Sequence, residues 1–407
     1  MHVKYINKKV FCMANISFLL NHFPSGGVER VVMNIVPALT YDKGHRFFIF
    51  VCKLNEEKLD GVDLPVTFIK LPYRTTDKRN KEIIAEAIKK YNIDLFISPI
   101  ISPKYIYALK EENLCKVCYV LHGVPFYELK EIENSFHVKG HLKDGLGEFL
   151  KKHLLTIPKF KLGYYHRKVE KRYKQRYEQL DAFGVLNDNY KGMIAQNIGV
   201  SENDPKFFTL QNPILPVSNE LSVVERKKRI IFVGRLSYTD KRVDRLLKIW
   251  EKVCMAFKEW ELMIIGDGPE EKNLKQYVQK NNLPRVQFVN FTSTPEEYYR
   301  ESEILCLTSD FEGCPMVLLE AQQHGCATMA FDCSFGVRDI LSPNWENGVF
   351  VPNGDIDAYA KALSKLMQDE DLRRGIQKNG IENVKRFSIE NSVEQYDAMI
   401  RKLCPKH

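Results

Sequence analysis

Short apolar runs alternate with amphipathic stretches along this 407-residue chain, and few folds satisfy that alternation. A strand covered on both faces reads as a near-continuous apolar run, whereas a helix packed on such a sheet buries one stripe only. Repetition of the two patterns predicts a parallel sheet wrapped by helices. In the first half the expected strands are Phe11–Leu20, Arg46–Cys52, Val66–Lys70, Leu95–Ser98, Lys116–Leu121 and Ala182–Val185, with helices over Gly27–Leu39 and Lys81–Lys90. The second half repeats the pattern, with strands at Ile230–Val233, Leu262–Ile265, Val286–Phe291, Ile304–Leu307, Ala327–Phe331 and Val349–Val351. Two such sets imply an α/β protein of two doubly wound domains. Two prolines interrupt the periodicity in LQNPILPVSNE, residues 210–220, which places the join there. The expected domains are residues 1–212 and 213–387. Asp371–Arg386 reads as a helix, and Ser388–Leu403 as another capped by its serine.

Composition excludes several classes. A hydrophobic content of 44% with mean hydropathy −0.31 fits a soluble globular chain, and no run approaches the ~18 apolar residues that span a bilayer. Val10–Leu20 follows Lys8 and Lys9 as a secretory segment would, yet Asn15 and Ser17 interrupt it and no small-x-small cleavage site follows, so it reads as a first buried strand. The ten cysteines are scattered singly, as reduced core residues in a cytoplasmic protein are. Cys115 and Cys118 form a C-x-x-C inside an extended run, where their side chains point to opposite faces, which argues against a redox or zinc site. No metal-binding motif is present in the sequence, and no metal site is expected.

Two clusters in the second half carry chemistry. In FEGCPMVLLE, Glu312 and Glu320 stand eight residues apart across a break. Gly313 and Pro315 hold a turn open, a helix begins at Met316, and Glu320 sits about one turn into it. Backbone N–H groups at such a helix start hold a phosphate, and a carboxylate within the helix accepts two hydrogen bonds from a sugar diol. The plain alternative is a surface Glu pair flanking a buried helix. Upstream, in IIFVGRLSYTDKRV, an apolar run ends at Gly234 and is followed by Arg235 and Lys241. Two cations on a loop beyond a buried strand suit a diphosphate, because the Arg fork bonds two oxygens and the Lys adds a point charge, with a solvated basic loop as the alternative. In the first half, Gly26 and Gly27 at a strand-to-helix turn let a loop approach a ligand closely, or only make the turn. His122 ends the run CYVLHG at the edge of the sheet where α/β ligands bind, with a buried, backbone-satisfied histidine as the alternative.

Together the G-R-x5-K and E-x7-E spacings, with GDGP at Gly266–Pro269 between them, resemble the carboxyl-terminal half of the family 4 retaining glycosyltransferases. The segment Gly26-Gly27-x-Glu29-Arg30 resembles that family's G-G-x-E-R, and Asn212-Pro213 the Asn-Pro that opens its second domain. The resemblance implies the GT-B fold, two Rossmann-like domains facing across a cleft, with the terminal helix 388–407 crossing back to the first domain. It implies transfer of a hexosyl unit from a nucleoside diphosphate sugar, with retention and without an essential metal or other cofactor. Gly234, Arg235, Lys241, Gly266, Gly268, Glu312, Gly313, Cys314, Pro315, Met316, Val317 and Glu320 would bind the donor, with Gly26 and Gly27 at its phosphates or the acceptor and Glu29 and Arg30 on the same loop. Arg235 and Lys241 would stabilise the leaving group, with Glu312 and His122 near the reacting sugar. Arg242 stands where the family often has Gly, and is expected to add a phosphate contact. Met13 could be the start residue, since MANISFLLNHFPSGG opens as family members open, leaving residues 1–12 as a dispensable leader.

FEGCPMVLLEA with FDCSFGVRDI looks most like bacterial members that use UDP-hexoses, galactose or N-acetylated hexosamine, to build surface polysaccharide. Phe335 and Val337 depart from the Ser-Gly-Pro common in those relatives. The partners implied are a UDP-sugar and a lipid-linked or glycan acceptor. Lys151–Arg176 holds ten Lys or Arg against one Glu, enough to account for the net charge of +8, and is interleaved with apolar residues. That pattern suits an anionic membrane surface, each nearby cation contributing ~1 kcal/mol. A solvated basic helix is the alternative, and nucleic acid is not expected. The chain is accordingly expected in the cytoplasm, peripheral on the inner face of the membrane. A sugar-nucleotide-dependent synthase acting on a soluble sugar or sugar phosphate, and a non-catalytic nucleotide-binding membrane scaffold, are the rival readings.

Overall fold

The computed structural model describes residues 14–24, 26–99, 104–137, 156–217 and 225–405. It divides into two units, one comprising 1–125, 170–215 and 387–407 and the other 126–169 and 216–386.

The first unit is built on seven parallel strands, β1 (Asn15–Phe23), β2 (Arg46–Leu54), β3 (Val66–Lys70), β4 (Leu95–Ser98), β5 (Lys116–Leu121), β6 (Ala182–Val185) and β7 (Phe207–Thr209), in the order β3-β2-β1-β4-β5-β6-β7. All strands end at one edge, so the loops after β1 and β5 share it. The helix Gly27–Tyr41 buries Val31, Val32, Ile35, Val36 and Leu39, the spacing that lines one helical face. Against the same core lies the terminal helix Ile389–Leu403, through Val393, Tyr396, Met399 and Ile400. Burying each such side chain stabilises by ~1.5–3 kcal/mol. Ser388 caps that helix with its hydroxyl and forms a parallel bridge with Ile214. The expected return of the last helix to the first unit is thus observed.

The second unit carries six parallel strands, β8 (Lys227–Val233), β9 (Glu261–Ile265), β10 (Val286–Val289), β11 (Ser302–Leu307), β12 (Ala327–Asp332) and β13 (Val349–Pro352), in the order β10-β9-β8-β11-β12-β13. This is the Rossmann order, which reverses direction between β8 and β11. Helices Val243–Val253 and Ile356–Gln368 bury Leu246, Trp250, Tyr359 and Leu363 in its core.

Several expectations need correction. Residues 126–169 sort with the second unit, not within 1–212, and the join falls after Leu215. The physical reason is visible in the helix Tyr127–His137, where Tyr127 lies 6.5 Å ring to ring from Phe311 and the Asn134 amide donates to the Thr239 carbonyl (2.9 Å) and to Asp310 (3.1 Å). The first strand runs on to Phe23, and β10 stops at Val289, leaving Phe291 68% exposed. Helix Glu370–Asn383 gives way to a 3-10 turn at Val384–Phe387. The amino-terminal leader lies outside the described residues. Cys115 precedes β5, while Cys118 is buried 3.7 Å from the Met399 sulfur, and the nine cysteines among the described residues are all free.

The basic segment is described from residue 156 as two helices, Ile157–Lys161 and Tyr164–Gln179. Arg176 is not part of its exposed face. It is 5% exposed, with its guanidinium over the rings of Tyr119 (4.8 Å) and Tyr173 (5.3 Å), because a weakly hydrated planar cation packs on aromatic faces. Lys159, Lys161, Arg167, Lys168, Lys171 and Lys174 do face outward, and Leu162 between the helices is 73% exposed.

Candidate active site

The loop after β8 starts at Gly234, φ 152°, and is clamped to the loop after β9. The amides of Gly234 and Leu236 donate to the carbonyls of Ile265 (3.0 Å) and Asp267 (2.7 Å), and the amide of Glu270 donates back to Leu236 (3.1 Å). A Cβ on Gly266 would collide with the Gly234 carbonyl oxygen, and one on Gly268 with the Leu236 backbone. Both glycines also hold positive φ, so close backbone packing alone requires them. The expected donor contacts of Gly266 and Gly268 are not needed to explain GDGP.

Within this loop Asp240 organises the cations. It accepts from Arg235 (2.9 Å) and from the Ser237 hydroxyl, and its backbone carbonyl receives the Asp310 amide (2.7 Å). Burial pushes its acidity one way, yet bonds from Ser237 and Arg235 prevail and hold its pKa below the ordinary carboxylate value. Arg235 leaves 63% of its side chain exposed beyond the strand edge. Lys241 instead turns inward, and its ammonium donates to Glu312 Oε1 at 2.6 Å. Burial works against that ammonium, but Glu312 and Asp240 outweigh it and raise its pKa. Lys241 is therefore a fixed cation at neutral pH.

Glu312 follows β11 on the turn predicted from Gly313 and Pro315. It is buried, and its Oε1 also accepts from the Ser309 hydroxyl (2.6 Å). Helix Met316–Gln323 begins after Pro315, and no side chain caps its first turn, which places the amides of Met316 and Val317 at its N-terminus. Glu320 lies one turn in and receives the Tyr299 hydroxyl at 2.9 Å. The two loops that hold Lys241 and Glu312 leave neighbouring strands β8 and β11, where the strand order reverses and α/β ligands bind.

Arg242, expected to add a phosphate contact, is paired within the protein. It takes the left-handed conformation, φ 51°, and its guanidinium is held by Asp244 (3.0 and 3.1 Å), by buried Asp310 (2.9 Å) and over the Tyr238 ring (4.2 Å). Arg245 completes this hub at 2.6 Å from Asp310. These contacts offset the cost of a non-glycine residue at positive φ, of order 1–3 kcal/mol. Asp240, Ser309, Asp310 and Tyr299 were not singled out from the sequence; Asp240, between the two expected cations, was the one that spacing offered.

In the first unit, His122 follows β5 and Gly26 follows β1. The His122 Nδ1 lies 3.2 Å from Asn212 Oδ1. Because that oxygen only accepts, the proton sits on Nδ1 and Nε2 carries a lone pair. Burial lowers its pKa to about 4, against the opposing bond to Asn212, so the ring is neutral. Gly26, φ 120°, precedes the helix Gly27–Tyr41, and a Cβ there would strike the Glu29 carboxylate, which folds back over the helix start. Glu29, with a pKa raised by burial, thereby sits where a ligand phosphate was expected. Gly27 opens to free space and Arg30 is exposed. Among the described residues no cluster of three or more His, Cys, Asp or Glu could hold a metal ion, and no helix is long and apolar enough to cross a membrane.

Residues 217–383 match the family model described as glycosyl transferases group 1. An uncharacterized glycosyltransferase of Haemophilus influenzae is 32% identical over 190 residues, 46% of this chain and 53% of that protein, so the match spans about half of the relative's length. A Campylobacter jejuni α-1,4-N-acetyl-D-galactosaminyltransferase, named for a GalNAc-containing diNAcBac-PP-undecaprenol substrate, is 24% identical over 399 residues, 95% of this chain and 98% of its own. Among solved structures, Anabaena HepE in complex with UDP aligns with a TM-score of 0.70 at 15% identity, over 95% of this chain and 100% of that one. The fold of the chain is that of the GT-B proteins.

Proposed function

Because residues 217–383 match the family model described as glycosyl transferases group 1, we propose that this chain is a retaining glycosyltransferase of bacterial surface-polysaccharide synthesis. It moves a hexosyl unit, galactose or an N-acetylated hexosamine, from a UDP-sugar to a lipid-linked or glycan acceptor. The observation that carries this reading is the 2.6 Å pair between Lys241 and Glu312 at the reversal of the second sheet. The UDP bound to the Anabaena protein and the undecaprenol-linked substrate in the Campylobacter name support the nucleotide and the acceptor class.

In this reading the chemistry is leaving-group stabilisation. As the bond from C1 to the diphosphate oxygen breaks, negative charge grows on the phosphates. Lys241, held charged by Glu312, and the exposed fork of Arg235 offset that charge, and the amides of Met316 and Val317 add the positive end of their helix. No metal is needed where two protein cations face the diphosphate. Glu320 accepts the ribose hydroxyls. Glu312 orients Lys241 and lies beside the transferred sugar. In the first unit, Nε2 of neutral His122 accepts a hydrogen bond from a sugar hydroxyl, a role that a protonated ring could not perform. Gly27 and Arg30 bind the acceptor or a phosphate of it.

The test is UDP release from a panel of sugar nucleotides, with and without a lipid-linked acceptor. Release with a UDP-hexose, dependent on acceptor and reduced ~10²–10³-fold by Lys241→Ala, is the expected result. Nucleotide binding by folded protein without turnover of any donor would overturn it in favour of a scaffold. Turnover with a soluble sugar phosphate alone would favour a synthase.

A further inference from the structure

Tyr299 is fully buried within the helix Glu296–Glu301, yet it carries a polar group directed at Glu320. Its hydroxyl donates to Glu320 Oε2 at 2.9 Å. Burial and the neighbouring Glu320 carboxylate push its pKa well above the ordinary tyrosine value, so it stays a donor. The residue is anchored from three sides. Its carbonyl accepts from the Arg226 guanidinium (3.0 Å) and the Cys326 thiol (2.9 Å), and its ring stacks on His324 at 5.7 Å. His324 in turn donates from Nδ1 to the Glu320 carbonyl at 2.8 Å. Side chain and backbone of Glu320 are thus each tied to the same stacked pair.

We propose that Tyr299 is a positioning residue for nucleotide recognition, setting the Glu320 carboxylate in the rotamer that accepts the ribose hydroxyls. The assignment rests on the donor-site reading of Glu320 given above. A carboxylate oxygen accepts two hydrogen bonds, so the Tyr299 contact fixes Oε2 without exhausting its capacity for a diol. A long, otherwise rotatable glutamate is pre-organised, and the ribose need not bear the entropy of ordering it.

The experiment measures dissociation constants of UDP and GDP, and of 2′-deoxy-UDP and 2′-deoxy-GDP, by titration calorimetry for the wild type, Tyr299→Phe and Glu320→Gln. The ratio of deoxy to ribo affinity is read for each, because it does not depend on the fraction of protein that is folded. The wild type should prefer the ribonucleotide, and Tyr299→Phe should shrink that preference several-fold, towards the value of Glu320→Gln. A preference unchanged in Tyr299→Phe but lost in Glu320→Gln would overturn the role of Tyr299 while leaving the donor site standing. Binding of neither ribonucleotide by the wild type, or equal preference in wild type and Glu320→Gln, would overturn the donor-site reading and this assignment with it.

Discussion

Lys241 and Glu312 are separated by 71 positions and share one hydrogen bond, and that contact turns two sequence motifs into one site. Their residue types were legible because glycine and proline mark the turns around them. The aspartates that hold the arginines, Asp240 and Asp310, were not, since an Asp in a loop gives no sign of its partner until the chain brings one near. Asp310 shows what such a hidden residue contributes. Its side chain is 3% exposed and faces both Arg242 and Arg245, so Asp310→Asn leaves two largely buried guanidinium groups without their counter-charge. A loss of ~3–5 kcal/mol is expected, measured by urea denaturation. His122 makes a pH prediction. Burial depresses its folded pKa to about 4 from an ordinary 6.5, so at neutral pH neither the folded nor the unfolded ring is charged. Below pH 6.5 the unfolded ring gains a proton that the folded one does not, so the stability this residue contributes is lost as pH falls through about 4. Wild type should therefore lose stability relative to His122→Asn between pH 7 and pH 4.5, and parallel denaturation curves would contradict this.

At the scale of elements, periodicity identified most strands because a strand buried on both faces cannot carry polar residues cheaply. Val66–Lys70, Leu95–Ser98, Lys116–Leu121 and Ala182–Val185 stand as expected, while the three-residue β7, at the edge of its sheet, passed unnoticed. Loops were harder to read. GDGP was recognised, but its reason lies in the clamp between the loops after β8 and β9. Gly266→Ala should consequently destabilise the fold by at least the ~1–3 kcal/mol of backbone strain, read as a lower melting temperature. It should also weaken nucleotide binding, since the clamp sets Arg235. An unchanged melting temperature would show that the two loops do not pack so closely.

For the whole molecule, the charge excess gathers on one segment whose exposed cations alternate along the chain with exposed Leu162 and Tyr164, the latter 45% exposed. On the sequence expectation that this segment meets an anionic membrane surface, the protein should bind anionic vesicles, with binding that falls as salt rises and the Debye length shrinks from ~10 Å at 0.1 M. Equal binding to neutral vesicles would count against it. The alternation of apolar runs determined by itself that two parallel sheets form, since that pattern records burial residue by residue. Glycine and proline placed the turns, and the charge types suggested the proposed diphosphate site. Only the tertiary structure decided which carboxylate holds which cation, that Arg242 pairs with Asp244 and Asp310, that Arg176 is buried, and that the Tyr299 hydroxyl donates to Glu320. Those outcomes depend on which residues distant in the chain become neighbours, and burial and hydrogen-bond pairing act only once they have.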